Sequence, residues 1–445
     1  MSTIQTEGKI DLMKRSRLGM AALVALALVV SACGGNGNPS TNEGGAGGDA
    51  AEKVKITLLN SKSEIQQQMT NAAAAFMASN PGIELEVITA AESQSPVERA
   101  SSLYAAGTPA TLAMLDAGDI AKFQDKAADL SGEKWVADLA QPNQIDGKTI
   151  AFPFAIEGTG LIYNKAVLDK AVGGAFDPAS IKTTSALKDL MAKIEATGVA
   201  PMVIGSMDWS LGNHYLAIAY ATQPEGDVNA FLAQLKSGGA NLANNAVFNG
   251  LLDTFDVLKQ YNLGKDDPIA IVLERSAAAV ASGEAAMTFN GNWLITEMQK
   301  TNPEGDFGFI PVPVSDDAGN PANASLAIGA TKQIFIDKEA STEAQQAAAK
   351  AFLNWLVYEE AGQNFLVNEA NVIPAFKNIT LELSNPLAKS LQAYNNAGHA
   401  IPFAGNYVPG DHWKVLGASM QKYLVDKADR AALAAEIEEY WKSVK

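Results

Sequence analysis

Cysteine, histidine and positive charge are scarce in this sequence, and each scarcity excludes a class of protein. Cys33 is the one cysteine in 445 residues, so no internal disulfide can form and stability must come from packing. The three histidines, His214, His399 and His412, show no metal-ligand spacing. Acidic residues number 49 against 33 lysines and arginines, and the net charge of −16 repels nucleic-acid phosphates and anionic lipid headgroups. We therefore expect no metal, no other cofactor and no nucleic-acid partner.

Long apolar runs are also scarce, and the one that stands out lies near the N-terminus. Three basic residues within positions 14–17 precede an apolar stretch over residues 18–30, and small residues follow up to Cys33. This order is typical of a secretory signal, and its apolar part is short for a membrane span. The ending Val-Ser-Ala-Cys resembles the bacterial lipobox, in which the cysteine is acylated and becomes the first mature residue.

The N-terminus therefore predicts a signal peptide over residues 1–32 and lipidation of Cys33. The protein would be exported and held by this lipid on the outer face of the bacterial cytoplasmic membrane, with no other membrane contact. The alternative is an ordinary signal peptide that contains an incidental cysteine.

The mature chain is long enough for two domains, since roughly 410 residues exceed what one compact core usually holds. Residues 33–52 are rich in Gly, Asn, Ser and Thr and are typical of a flexible tether. Residues 54–58 then alternate as a strand, residues 63–66 have the spacing of a helix capping box, and residues 84–88 alternate again. This order predicts a β-α-β unit and a mainly parallel sheet in the first domain.

Strand and helix patterns continue along the rest of the chain. A second capping box at residues 342–345 opens a helix whose apolar face includes Trp355. We expect Trp355, Trp135 and Trp441 to be core residues. Two amphipathic helices close the sequence.

Four segments together carry a family resemblance through their order and spacing. They are residues 54–81, residues 146–165 with Phe-Pro-Phe and Tyr-Asn-Lys, residues 283–293 with Asn-Gly-Asn-Trp, and residues 348–376 with Ala-Phe-Leu-Asn-Trp-Leu. The chain resembles the extracellular solute-binding proteins of carbohydrate ABC importers, the maltose-binding-protein-like family 1.

This resemblance implies an α/β fold of two lobes, the periplasmic-binding-protein fold, with a ligand cleft between the lobes. The chain should cross between them three times, near residues 155–160, 324–329 and 374–379. The expected lobes are residues 53–157 plus 326–376 for lobe 1 and residues 158–325 plus 377–445 for lobe 2.

A sugar site combines flat aromatic rings with polar side chains, because sugars present C–H faces and hydroxyl edges. The resemblance implies a stacking role for Trp209, at the start of a second-lobe helix; its alternative role is to fix that helix to the core. Trp293 or its neighbour Asn292 should also contact ligand, since both follow an apolar strand.

Polar candidates follow predicted strands or lie on the first crossing. One residue of the triplet Asn60, Ser61 and Lys62 should touch ligand, unless these residues only cap the following helix. Asp116 should accept hydrogen bonds from sugar hydroxyl groups, with Asp119 as the alternative. The remaining candidates at comparable positions are Ser93 and Glu157.

Asp411 and His412 form the last candidate pair. A carboxylate and an imidazole side by side can grip adjacent hydroxyls, although N-capping of the next helix would account for Asp411 by itself. In some relatives that bind α-galactosides an Asp-His pair occurs at a similar place, so the resemblance favours raffinose-type oligosaccharides.

The sequence therefore predicts a monomeric substrate-binding lipoprotein, without catalytic residues, that captures an oligosaccharide by lobe closure and delivers it to an ABC permease. Two alternatives stay open. One is a lipid-anchored glycoside hydrolase, and the other is a binding protein for a non-sugar solute such as a peptide or polyol.

Overall fold

The computed structural model describes residues 52–90, 94–140, 143–224 and 226–444. Within these ranges nine strands form one sheet, in the order β2-β1-β3-β8-β4-β6-β5, with β7 paired to β4 and β9 paired to β8. In chain order the strands are β1 (Val54–Asn60), β2 (Ile83–Thr89), β3 (Leu112–Asp116), β4 (Phe152–Asn164), β5 (Ala200–Met202), β6 (Ala285–Gly291), β7 (Phe307–Ile310), β8 (Leu326–Ile336) and β9 (Ala400–Pro402).

Helices fill the connections between strands, and a π-helical stretch, Trp209–Tyr215, follows β5. The α-helices of the described ranges are α1 (Gln66–Ser79), α2 (Pro96–Ala105), α3 (Ala117–Ile120), α4 (Lys165–Val172), α5 (Thr184–Glu195), α6 (Ile218–Ala221), α7 (Val228–Ser237), α8 (Ala246–Gln260), α9 (Leu273–Ser282), α10 (Ile295–Thr301), α11 (Glu343–Tyr358), α12 (Glu360–Asn364), α13 (Pro386–Asn396), α14 (His412–Leu424) and α15 (Arg430–Ser443). Among them, none combines the length and the apolar character that a bilayer crossing needs.

The predicted β-α-β unit is confirmed. β1 and β2 pair in parallel, from Val54 opposite Ile83 to Asn60 opposite Thr89, and β1 is also parallel to β3. The predicted capping box at residues 63–66 is wrong: a turn of 3₁₀ helix precedes α1, and no side chain caps it.

The second predicted capping box is confirmed at the start of α11. The backbone N–H of Gln345 donates to the Thr342 hydroxyl at 3.2 Å, and the backbone N–H of Thr342 donates to the Gln345 side chain at 3.0 Å. These two bonds satisfy donors that an uncapped helix start would leave free.

Two long antiparallel strands, β4 and β8, occupy the centre of the sheet. They pair from Phe152 opposite Ile334 to Thr159 opposite Ala327, with an irregular register just after Pro153. The first two predicted chain crossings overlap this paired region. The third predicted segment begins directly after Ile373, whose carbonyl accepts the backbone N–H of Ile156 at 2.9 Å.

The two largest clusters of buried apolar side chains lie on either side of the middle of β4, one drawing on its first residues and the other on its last. On one side Phe76 of α1 makes an edge contact with Phe352 and Trp355 of α11, at centroid distances of 5.2 and 5.9 Å. On the other side Trp441 packs with the helices that follow β4. The expectation that Trp355, Trp135 and Trp441 are core residues is confirmed, since all three are buried.

Candidate ligand-binding site

Four aromatic rings meet where β5, β6 and β9 end. Trp209 and His214 lie on the π-helix after β5, Trp293 follows β6, and Phe403 follows β9. The His214 ring contacts Trp209, Trp293 and Phe403 at centroid distances of 5.3, 5.2 and 5.2 Å, and the two tryptophans are 6.2 Å apart. We call these four residues the aromatic cluster. It unites both predicted stacking tryptophans.

Close backbone approaches hold the cluster in place. A Cβ atom on Gly291 would lie 2.1 Å from the Trp293 ring, so the ring folds back over this glycine and any larger residue there would displace it. The π-helix approaches α14 in the same manner, since a Cβ on Gly212 would lie 2.5 Å from the backbone nitrogen of Gly417. Because these glycines have no side chains, the Trp293 ring and the π-helix that carries Trp209 can pack close to the neighbouring backbone.

An ion pair lies near the cluster. Asp116, at the end of β3, pairs with Lys332, which lies opposite it on β8. The distance between Asp116 Oδ1 and Lys332 Nζ is 2.5 Å, and the Asp116 side chain is about half exposed. Burial lowers the pKa of the His214 imidazole to about 3; the nearby Asp116 carboxylate opposes this shift and the Lys332 ammonium adds to it. The Asp116 carboxylate is thus close enough to the aromatic cluster for its charge to act on His214.

Lys62 and Glu157 form a buried ion pair. The distance between Lys62 Nζ and Glu157 Oε1 is 2.7 Å, and both side chains are only 3% exposed. Glu64 adds a second carboxylate at 2.6 Å, and the Thr331 hydroxyl donates to Glu157. Burial would lower the pKa of Lys62, but Glu157 and then Glu64 outweigh it and hold the pKa above its usual range. The charged atoms of both predicted residues are therefore already engaged.

Asn60 shapes the turn between β1 and α1. Its Oδ1 accepts the backbone N–H of Lys62 at 3.0 Å, and its Nδ2 donates to the Lys62 carbonyl at 2.9 Å and to the Gln66 side chain at 2.8 Å. It is 1% exposed, which favours the structural alternative over ligand contact. Within the triplet, Ser61 carries a buried hydroxyl with no partner among the described residues.

Asn292 also has a structural partner. Its Oδ1 accepts the backbone N–H of Gly158 at 3.0 Å, and the residue is 1% exposed. This bond ties the end of β6 to β4. Of the two predicted neighbours, Trp293 is the partly exposed one.

The structure corrects the predicted Asp411–His412 pair. Asp411 Oδ1 accepts the Tyr440 hydroxyl at 2.8 Å and forms no side-chain cap on α14. His412 is fully buried among the rings of Tyr220, Tyr440 and Trp441, and its Nε2 lies 3.1 Å from the Tyr220 hydroxyl. The two side chains point to different surroundings because they begin a helix. His412 therefore leaves the set of ligand candidates.

Two predicted residues, Ser93 and Cys33, lie outside the described residues. Within those that are described, no group of three or more His, Cys, Asp and Glu side chains could hold a metal ion.

Sequence reasoning missed His214 and Phe403. Trp209 and His214 are five residues apart, a spacing that places two side chains on different faces of an α-helix but that matches the hydrogen-bond step of a π-helix. One such bond runs from the Leu216 backbone N–H to the Leu211 carbonyl at 3.0 Å. Apolar ring faces beside polar atoms and an exposed carboxylate suit a ligand that carries both C–H surfaces and hydroxyl groups.

Three relatives are similar to this chain in sequence. An uncharacterized ABC transporter extracellular-binding protein of Pyrococcus horikoshii is 27% identical over 227 residues, about half of each chain (48% of this one and 49% of the relative). The diacetylchitobiose-binding protein DasA of Streptomyces coelicolor is 22% identical over 72% of this chain and 76% of its own. The melibiose/raffinose/stachyose-binding protein MelE of Bacillus subtilis is 22% identical over 68% of this chain and 70% of its own.

Among solved structures, the solute-binding protein RafE in complex with raffinose has a similar fold, with a TM-score of 0.73 at 19% identity. The match covers 88% of this chain and 99% of RafE. The chain thus has the two-lobed α/β fold of solute-binding proteins. The sequence profile described as bacterial extracellular solute-binding protein matches residues 71–396. The chain belongs to the family of bacterial extracellular solute-binding proteins, which bind solutes for ABC transporters and are not enzymes.

Proposed function

We propose that this protein is the sugar-binding subunit of an ABC importer and that its ligand is an oligosaccharide of the α-galactoside type, such as raffinose. Raffinose is named as a ligand of two similar proteins, MelE and RafE, and a chitin-derived disaccharide is named as the ligand of DasA. All three descriptions name sugars. A second sugar class, the chitin oligosaccharides, therefore belongs in any test.

The aromatic cluster beside Asp116 carries this proposal. Trp209 and Trp293 are both partly exposed, so each ring retains surface that a sugar can cover. A tryptophan buries about 150–250 Å² when it is covered, and micromolar binding needs about 8 kcal/mol in total. Two rings and several hydrogen bonds to groups such as Asp116 are sufficient for this affinity.

The proposed mechanism is capture by closure of two lobes, residues 53–157 plus 326–376 and residues 158–325 plus 377–445. The two largest clusters of buried apolar side chains support this division, since the buried residues of each come from one proposed lobe. Residues of both proposed lobes come close at Gly410, since a Cβ atom on this glycine would lie 2.3 Å from the Asp119 carboxylate. A ligand that contacts both lobes shifts the equilibrium toward the closed state, which a membrane permease can recognise. We expect the protein to act as a monomer.

Family membership places the protein outside the cell, and we propose that a lipid on Cys33 anchors it there. The test compares the full chain with a Cys33→Ala variant in a bacterial host. We expect the wild type in the membrane fraction, with an acylated N-terminal peptide in mass spectra, and the variant unacylated. An unacylated N-terminal peptide in both proteins would refute the anchor.

Ligand identity is tested on residues 50–445 by thermal shift and then by calorimetry, because a ligand of the folded state raises the melting temperature. The panel contains melibiose, raffinose, stachyose, diacetylchitobiose, maltose, xylo-oligosaccharides, polyols and peptides. A response confined to the α-galactosides supports the proposal. A response to diacetylchitobiose alone replaces the proposed sugar class, and a response to peptides alone refutes sugar binding.

The site is tested with Trp209→Ala and Trp293→Ala. We expect each variant to lower affinity for the identified sugar at least about tenfold, since each removes a stacking face. Tyr358→Ala is the control, because Tyr358 is a partly buried aromatic residue that contacts Lys134 and Asp138 outside the cluster. Equal affinities for all three variants would refute the assignment. Long incubation should release no reducing ends, and turnover would favour the hydrolase alternative.

A further inference from the structure

Two segments from different proposed lobes lie against each other beside the central strand β8. One is residues 117–122, which contain α3 and belong to lobe 1, and the other is residues 406–410 of lobe 2, which lead into α14. We call this contact the interlobe seam. One end of it is fixed to β8, since the Asn406 side chain donates to the backbone carbonyl of Ala330 at 3.1 Å.

Each segment approaches the other at a glycine. A Cβ atom on Gly118 would lie 3.0 Å from the backbone oxygen of Asn406 and 3.4 Å from that of Val408, and one on Gly410 would lie 2.3 Å from Asp119 Oδ1. Neither glycine has a φ in the left-handed region, so the local backbone conformation does not require glycine at either position. The close approach of the two segments does.

The seam lacks the apolar packing that holds a permanent interface together. On the lobe 1 side Ile120 packs into a cluster of buried residues that all belong to lobe 1, and on the lobe 2 side Val408 packs into a cluster that belongs entirely to lobe 2. Neither of these two clusters crosses the seam. Separation of the two segments would therefore expose little apolar surface and cost little free energy.

A charge lies within the seam instead. Asp119 is 7% exposed, and its carboxylate pairs with the half-exposed Lys122 ammonium at 2.8 Å. Burial raises the pKa of Asp119, and Lys122 opposes this shift. Because an ionised carboxylate is more stable in water, separation of the segments would be favourable for Asp119.

Opposite charges also face each other across the lobes beyond Gly410. Hydrogen bonds at Ser95 lower the pKa of Glu98 on α2, and the Lys414 ammonium of α14 adds to this shift. Lys414 of lobe 2 is therefore near Glu98 of lobe 1. This attraction acts at longer range than the close approach of the glycines, so it can draw the lobes together before they touch.

We propose that the interlobe seam is a contact of the closed state alone, and that Gly118 and Gly410 set how completely the lobes close. This inference rests on the proposed function, capture by lobe closure, and names residues that stabilise the closed state without serving as the ligand site. Contacts that exist only after closure add to ligand affinity, because they favour the state that holds the ligand.

The first test is Gly410→Ala, measured by calorimetry with raffinose or, if raffinose does not bind, with the tightest ligand of the panel above. The added Cβ obstructs only the closed state, so affinity should fall about tenfold, within the range that overpacking of a close contact causes, while the ligand-free melting temperature stays unchanged. Gly132→Ala is the matched control, since a Cβ atom there meets no atom within 4 Å. A lower melting temperature with unchanged affinity in Gly410→Ala would show that the seam is permanent and would overturn the proposal.

The second test closes the seam covalently. Asp119→Cys and Gly410→Cys are combined with Cys33→Ala, which removes the other thiol of the chain. Asp119 Cγ, whose place a cysteine sulfur would take, lies 3.4 Å from the Cβ position of Gly410, so the two thiols come within reach of a disulfide. Oxidation without ligand should reduce the radius of gyration in solution scattering and abolish raffinose binding, and a reductant should reverse both effects.

A disulfide within one lobe is the control for this cross-link. The hydroxyl oxygens of Thr184 and Thr254, both in lobe 2, are 2.7 Å apart. Oxidation of Thr184→Cys with Thr254→Cys, again in the Cys33→Ala background, should change neither the radius of gyration nor raffinose binding.

The scattering measurement separates this inference from the proposed function, because it needs no ligand. Equal radii for the oxidised and reduced seam variant, or failure of its disulfide to form, overturn the seam whether or not a sugar binds. A smaller radius after oxidation, together with a wild-type protein that binds no sugar of the panel, keeps the seam and overturns the sugar proposal.

Discussion

Acid should destabilise this protein through His412 before its carboxylates protonate. The His412 ring is fully buried among three aromatic residues, and burial lowers its pKa from 6.5 to about 3. In the unfolded chain this histidine has a pKa near 6.5, so it binds a proton at pH values at which the folded protein does not. Stability falls as the pH drops below about 6.5 and continues to fall until the folded state itself protonates.

The size of this effect follows from the two pKa values. At pH 5 the unfolded histidine is almost fully protonated while the folded one is not, and linkage gives a loss of about 2 kcal/mol relative to pH 8. This is a large share of the roughly 5–15 kcal/mol that stabilises most domains.

Urea denaturation at pH 8 and pH 5 measures the effect, with His412→Gln as the variant. Glutamine does not titrate and can still bond the Tyr220 hydroxyl, so the variant will be less stable overall but should lose about 2 kcal/mol less than wild type between the two pH values. His399→Gln is the control, since His399 is an exposed histidine outside the buried aromatic group around His412. The same slope in wild type and His412→Gln would show that this burial does not control the acid response.

Three further predictions concern packing and charge. Lys62→Met should lower the free energy of unfolding by about 3–5 kcal/mol, because it leaves Glu157 buried without its partner, and adding Glu157→Gln should restore much of the loss in urea denaturation. Gly291→Ala should lower sugar affinity with little change in circular dichroism, since its Cβ would displace the Trp293 ring; unchanged tryptophan fluorescence and affinity would contradict this. Gly417→Ala should lower stability by about 1–3 kcal/mol, because its Cβ would lie 2.4 Å from a backbone oxygen of the π-helix region, and an unchanged melting temperature would argue against this close approach.

Local sequence pattern predicted the parts of this fold that depend on local physics. The alternation at residues 54–58 and 84–88 predicted two parallel strands, and the box at Thr342 predicted a helix start. Positions at strand ends predicted where Asp116 and Trp293 stand. In each case the local backbone conformation decides where the residue lies, and the neighbouring residues in the sequence determine that conformation.

Side-chain partners could not be predicted in this way. Lys62 and Glu157 were each predicted to face ligand, yet they pair with each other across 95 sequence positions. His412 and Asp411 are adjacent in sequence, yet one is enclosed in the core and the other bonds Tyr440. These outcomes depend on which distant segment packs against the residue, and a single sequence carries no direct record of that choice.

The engaged residues still contribute to the proposed binding site, because they hold together the strands that carry it. Lys62 and Glu157 join the turn after β1 to β4, Thr331 brings in β8, and Asn292 ties the end of β6 to β4. The aromatic cluster and Asp116 stand on the ends of strands held by these bonds. These side chains are already immobilised in the folded protein. Ligand binding therefore carries no further entropic cost of ordering them, and the ligand affinity is not reduced by that cost. A ring placed in this way can bind a sugar face with most of its contact energy retained, which agrees with a receptor that captures dilute solutes.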